Sequence, residues 1–245
     1  MKRSAEVDGE RLDGVLLVDK PIGPTSMRVV ERVRRAAGGV RCGHAGTLDP
    51  LASGLLVIGL GSCTKRLGEW MAGDKRYESV MDLSAFTATD DSEGTLEMVD
   101  SAVAPARAQV ENAVRAFVGE FMQSPPAFSA VKIAGRRAYD MARREMRAGG
   151  DVGSVQPQAR AVRVHAIDVV AWEWPLLTVR IHCDKGFYVR SLARDLGRAL
   201  GTGGFCRSIR RTWSAPFRVE DALALDALPQ RLRQEQLRAA PEVQA

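Results

Sequence analysis

The longest apolar stretch of this chain, residues 55–60 (Leu-Leu-Val-Ile-Gly-Leu), is entered through a glycine-punctuated loop that carries a single acid. A stretch this short is far from the roughly 20 residues a helix needs to cross a bilayer. Unbroken apolarity over such a length suits a strand buried on both faces. The loop before it reads Gly43-His44-Ala45-Gly46-Thr47-Leu48-Asp49-Pro50-Leu51-Ala52-Ser53-Gly54. Proline at 50 disfavours the helical basin for Asp49, which places the carboxylate on extended or turning backbone at the mouth of the next element. Asp-Pro is also a good N-cap followed by a first-turn proline. The dipeptide alone leaves both readings open, a helix cap and a nucleophile.

With 245 residues and an apolar fraction of 45%, the chain is long enough to bury one large core or two modest ones. The N-terminus, Met1-Lys2-Arg3-Ser4-Ala5-Glu6, lacks the apolar segment of a secretory signal, so a cytoplasmic protein is expected. Cysteines 42, 63, 183 and 206 show no Cys-x-x-Cys spacing, which suits reduced thiols. His182 and Cys183 are neighbours on a strand pattern and point to opposite faces, so no metal site is expected there or at Cys42 and His44.

The net charge of +5 is informative where it clusters. Residues 131–150 hold Lys132, Arg136, Arg137, Arg143, Arg144 and Arg147 against Asp140 and Glu145, and Arg207, Arg210, Arg211 and Arg218 form a second group. Such patches attract phosphates and make binding salt-dependent; a solvated helix face is the alternative.

The pattern along the chain predicts mixed helices and strands without internal repeats. Residues 15–18 read as a buried strand, followed by a helix that Ser26 caps and that runs to about Ala37 with Val29, Val30 and Val33 on one face. Residues 77–83 read as a further strand, joined through 90–94 to a partner at 95–99. Apolar spacing predicts an amphipathic helix over 107–121. Residues 122–160, with consecutive prolines and dense arginine, read as an insertion. Leu177, Val179, Ile181 and Cys183 alternate as in a half-buried strand, Gly186 ends it, and a helix begins near Val189. Residues 229–245 read as a short polar helix or tail.

The 43–54 block resembles the catalytic motif of the TruB family of tRNA pseudouridine synthases, G-H-x-G-x-L-D-P-x-A-x-G. Four other blocks follow in family order: Lys20-Pro21 with Gly23, Thr25 and Ser26; Asp74-Lys75-Arg76-Tyr77-Glu78; Gln123-Ser124-Pro125-Pro126 with Ser129, Ala130, Lys132, Gly135 and Tyr139; and 185–192, Lys-Gly-Phe-Tyr-Val-Arg-Ser-Leu. Together they span about residues 14–220, more specific than any single motif. Ala45, Asp184 and Phe187 depart from the pattern, where threonine, serine and threonine are common.

The resemblance implies an α+β pseudouridine synthase fold, a mixed and mostly antiparallel sheet flanked by helices, with a mobile RNA-contacting insert at 122–160. It implies a catalytic domain over 10–220 and a short tail over 221–245, without a full C-terminal RNA-binding domain. The implied activity is isomerisation of uridine to pseudouridine at position 55 in the T loop of tRNA, without cofactor, metal or guide RNA, by a cytoplasmic monomer. Asp49 matches the nucleophile, Tyr77 the tyrosine that packs on the target base, and Arg190 the cation that favours an ionised carboxylate. His44 matches the residue that wedges into the RNA loop as the base is extruded. Tyr188 and Ile209 match the base pocket. Lys132, Arg136 and Arg137 match RNA contacts, and Lys20, Gly43, Gly46 and Pro50 match structural supports. The alternatives are a guide-dependent synthase acting on ribosomal RNA and a non-catalytic tRNA-folding or RNA-binding protein.

Overall fold

A computed structural model describes residues 12–99, 104–150 and 152–241. In chain order the elements are β1 (Gly14–Lys20), α1 (Ser26–Ala36), β2 (Cys42–His44), β3 (Ala52–Leu60), α2 (Leu67–Ala72), β4 (Lys75–Asp82), β5 (Ala85–Thr87) and β6 (Leu96–Met98). Then come α3 (Arg107–Arg115), β7 (Gly119–Gln123), β8 (Lys132–Ile133), β9 (Arg136–Arg137), α4 (Ala138–Arg147), β10 (Arg160–Glu173) and β11 (Leu176–Cys183). The series ends with α5 (Val189–Leu200), β12 (Phe205–Ser214), β13 (Phe217–Arg218) and β14 (Leu223–Ala224). The described residues of Met1–Tyr77 and Arg210–Ala245 form one unit, and those of Glu78–Ile209 the other.

In the first unit the strand order is β14-β1-β3-β12, with β2 on β3 and β13 on β12. The sheet is mixed: β1 runs antiparallel to β3, from Gly14 opposite Leu60 to Lys20 opposite Gly54, and parallel to β14. The apolar stretch at 55–60 is dry on both sides. Leu56, Ile58 and Leu60 pack with Leu16, Val18 and the Val29, Val30 and Val33 face of α1. Leu55 and Val57 pack with Val15, Leu17, Trp70 and Phe217. Helix α1 forms as expected, but Thr25 caps it by accepting the Arg28 N–H, and Ser26 is buried and engaged elsewhere. The 229–241 segment is no polar helix. Leu232 and Leu237 are buried in the α1-side core, and Arg238 exchanges two 2.9 Å backbone hydrogen bonds with Val15. Leucines scattered among polar residues gave this segment no periodic signal.

In the second unit the order is β4-β11-β10-β7. Leu177, Val179, Ile181 and Cys183 are buried, as their alternation predicts. Helix α3 stops at Arg115; Gly119, at φ +107, turns the chain into β7, which pairs with residues 160–164. The expected helix over 107–121 is therefore helix to Arg115, a turn over 116–118 and strand from Gly119. The 95–99 segment pairs with Ala85–Thr87, not with 77–83. The insert holds the β8–β9 hairpin, α4 and an apolar cluster of Phe128, Ala138, Ala142 and Val155. Among the described residues no helix is long and apolar enough to cross a membrane.

Candidate active site

The loop that carries Asp49 is fixed from both sides by neighbours in the first unit. On its N-terminal side His44 pairs with Ile58 across β2 and β3, and the Ala45 N–H donates to the Val57 carbonyl at 2.9 Å. Ser26 then clasps Leu48: its hydroxyl donates to the Leu48 carbonyl at 2.9 Å and accepts the Leu48 N–H at 2.8 Å. On the other side the Pro50 carbonyl accepts the Gly23 N–H at 2.8 Å. The Ala52 N–H donates to the Asp49 carbonyl at 3.1 Å, closing a turn that opens directly into β3. No helix follows Asp49, so the helix-cap reading of Asp-Pro falls.

Beneath this loop lies a buried ammonium. Lys20 has no exposed surface, and its Nζ donates to the carbonyls of Pro21 and Pro24 at 2.9 Å each and of Pro50 at 3.5 Å. Burial pushes its pKa down to about 8; the Asp49 carboxylate opposes that shift and the Arg211 guanidinium adds to it. Arg211 is itself buried, with Nε donating to the Leu55 carbonyl at 2.8 Å and Nη2 to the Gly46 carbonyl at 3.1 Å. Gly54, at φ +99, lies so close to the Arg211 backbone that a Cβ would sit 2.3 Å from its carbonyl oxygen. Burial lowers the pKa of His44, and the Arg211 charge lowers it further against a Gly46 backbone hydrogen bond. The imidazole is thus favoured in its neutral form, suited to stacking.

The second arginine group does not form the expected patch. Arg211 is interior, and Arg210 makes a bidentate pair with Asp19 at 3.0 and 2.7 Å. Arg207 lies 3.7 Å from Asp82.

In the second unit Tyr188 precedes α5, and the Gln123 side chain holds its backbone: the Tyr188 N–H donates to Oε1 at 2.8 Å, and Nε2 donates to the Tyr188 carbonyl at 3.1 Å. The Arg160 guanidinium stands 5.1 Å from the Tyr188 ring centre. Arg190, in the first turn of α5, is buried. It donates to the Thr89 carbonyl at 2.9 Å, the Phe128 carbonyl at 2.9 Å and the Asp91 carboxylate at 3.1 Å. Asp91 is equally buried and accepts further hydrogen bonds from the Thr89 hydroxyl at 2.6 Å and the Glu93 N–H at 3.0 Å. A cation is unfavourable at the start of a helix, and this carboxylate offsets it. Next to it Asp90, at φ +57, pairs with Arg194 at 2.7 Å; burial nonetheless raises its pKa to about 6, against the Arg194 and Arg190 charges.

Ile209 is buried on β12, and Tyr77 is half-buried on β4. Lys132, Arg136 and Arg137 are exposed on the insert hairpin and line, with Gly135, Asp140, Met141 and Arg144, an open concavity of about 500 Å³. Lys132 stands directly opposite Arg137. Like charges so placed repel, and a polyanion would relieve them. Sequence reasoning missed Asp91, read only as part of a connecting turn, the Ser26 clasp and the interior place of Arg211.

Two family models match the chain: TruB family pseudouridylate synthase (N terminal domain) over residues 34–189, and tRNA pseudouridylate synthase B C-terminal domain over residues 190–240. The tRNA pseudouridine synthase B of Thermobifida fusca is 45% identical over 224 residues, covering 88% of this chain and 74% of that protein. That of Cereibacter sphaeroides is 41% identical over 232 residues, covering 94% and 74%. Among solved structures, a chain of a Cbf5-Nop10-Gar1 complex superposes with a TM-score of 0.66 at 29% identity, over 87% of this chain. The match spans 52% of that longer chain.

Proposed function

The chain belongs to the TruB family of pseudouridylate synthases, and from that premise we propose that it converts uridine to pseudouridine at position 55 in the T loop of tRNA, with Asp49 as nucleophile. It is an enzyme of tRNA modification, an intramolecular transferase. The reaction breaks the bond between N1 of uracil and C1′ of ribose, turns the base, and forms a bond from C5 to C1′. N1 gains a proton as C5 loses one, so composition is unchanged. Attack of the carboxylate on C1′ and addition to uracil C6 both begin at Asp49.

The observation that carries this reading is the seating of Asp49. A turn clasped by Ser26 and by the Pro50 carbonyl presents the carboxylate above the buried Lys20 ammonium, whose pKa the Asp49 charge raises against burial. In this reading Arg190 is the cation of the site, with Asp91 fixing its guanidinium. Tyr77 packs on the target base and assists the movement of its C5 proton, and Tyr188 and Ile209 line the base pocket. His44 fills the space the flipped nucleotide leaves, offsetting part of an unstacking cost of a few kcal/mol. The insert cations Lys132, Arg136 and Arg137 hold phosphates of the T arm. Substrate and enzyme meet in the cytoplasm, and the enzyme acts as a monomer.

The test is a tRNA transcript, or an isolated T-arm hairpin, incubated with purified protein and no guide RNA. Pseudouridine is expected at position 55 alone. Asp49→Ala should make no product and bind the transcript within about threefold of the wild type, since one carboxylate is absent from the phosphate contacts. Product from Asp49→Ala, or product only after a guide is added, would overturn the reading.

A further inference from the structure

Two of the three histidines lie outside the isomerase machinery, side by side on neighbouring strands of the second unit. Val164 pairs with Cys183 and Ala166 with His182, so a bulge at His165 sets two residues of β10 opposite one of β11. Val164 and Cys183 point into the core, and His182 points to the other face. His165, next to core-facing Val164, is exposed on that face as well: the two rings are 4.5 Å apart between centres, and a nitrogen of each lies within 4.8 Å of one on the other. Asp184 completes the arrangement, its Oδ1 2.6 Å from Nε2 of His165. A carboxylate hydrogen-bonded to one ring nitrogen is the support that metal-ligating histidines commonly have behind the ring.

We propose that His165 and His182 bind one divalent transition-metal ion of the zinc class, with Asp184 orienting His165 from behind. Imidazole nitrogen suits Zn²⁺, Ni²⁺ and Cu²⁺ and disfavours Mg²⁺ and Ca²⁺, which take oxygen. Small rotations of the two rings bring the nitrogens to the ~2.0–2.1 Å that zinc requires, and water fills the remaining positions. The ion clips β10 to β11 at the bulge, where the ladder is interrupted, and binding to the folded state alone raises the midpoint of thermal unfolding. His182 is the residue that sequence reasoning paired with Cys183. The neighbouring strand supplies a different partner, His165.

Calorimetric titration of the full chain, carrying no affinity tag, with ZnCl₂ tests this. One equivalent is expected to bind, and to bind at least tenfold more weakly in His165→Ala and in His182→Gln. Asp184→Asn keeps both ligands and should lose roughly 10–100-fold. Magnesium chloride should give no saturable heat. With Cu²⁺, the electron paramagnetic spectrum should carry hyperfine structure from two imidazole nitrogens in the wild type and from one in His182→Gln, with far-ultraviolet dichroism unchanged. Undiminished zinc binding by the double variant, or the absence of saturable binding by the wild type, would overturn the proposal.

Discussion

Ser26 and Asp91 each hold a catalytic candidate in place without reacting, and each can be removed by a small change. In Ser26→Ala the Leu48 N–H and carbonyl lose their partner in a buried setting, which costs about 1–3 kcal/mol. Because Leu48 adjoins Asp49, kcat for pseudouridine formation should fall more than KM rises; an unchanged kcat would show that the clasp does not position the acid. Asp91→Ala leaves the buried Arg190 charge without its carboxylate, and breaking such a pair costs about 3–5 kcal/mol. Urea unfolding with an unchanged midpoint would contradict that. The motif residues themselves, Asp49, Tyr77 and Arg190, were legible in the sequence because their blocks are contiguous. Their supports were not: Ser26 is 22 residues from Leu48, Asp91 is 99 from Arg190, and Arg211 is 165 from Gly46. Local pattern carries no information on such pairings.

Between residues 107 and 123 local spacing and long-range pairing compete. Val110 and Val114 are buried on the helix, as their spacing predicts, but Gly119 at positive φ frees the chain to pair with β10, and the sheet takes what the helical pattern had claimed. Where one face alternates without rival, as in β11, spacing and fold agree. The insert hairpin illustrates the same limit, for composition announced its charge while the pairing that sets Lys132 against Arg137 required the fold. That pairing yields a prediction at the scale of the element. Changing Lys132, Arg136 and Arg137 together to glutamine should weaken tRNA binding and lower the slope of log affinity against log salt by about 2–3, near one unit for each phosphate no longer neutralised. Filter binding from 50 to 300 mM salt (about the usable range) measures this, and an unchanged slope would remove these residues from the RNA interface.

For the molecule as a whole, two interior charges give stability opposite pH slopes on either side of neutrality. The Lys20 pKa falls to about 8 from its ordinary 10.5. Between those values the unfolded chain holds a proton that the folded chain has released, so stability rises with pH. The Asp90 pKa rises to about 6 from 3.8. Between those values the folded chain holds the extra proton, and stability falls as pH rises. From pH 6 to 8 both groups are ionised and the fold carries the cost of both, Lys20 beside Asp49 and Asp90 beside Arg194. Subtraction of variants isolates each slope from all other titrations. The stability of the wild type minus that of Lys20→Met should be flat from pH 6 to 8 and grow from about pH 8 upward. The same difference for Asp90→Asn, in which Arg194 retains Asp195, should shrink from about pH 4 to 6 and be flat above. Urea midpoints across that range measure both curves. A Lys20 difference that falls above pH 8 would mean that the ammonium is stabilised by its three carbonyls more than burial opposes it, and Lys20 would then act as a structural tie, not as a charge held at a cost beneath the nucleophile.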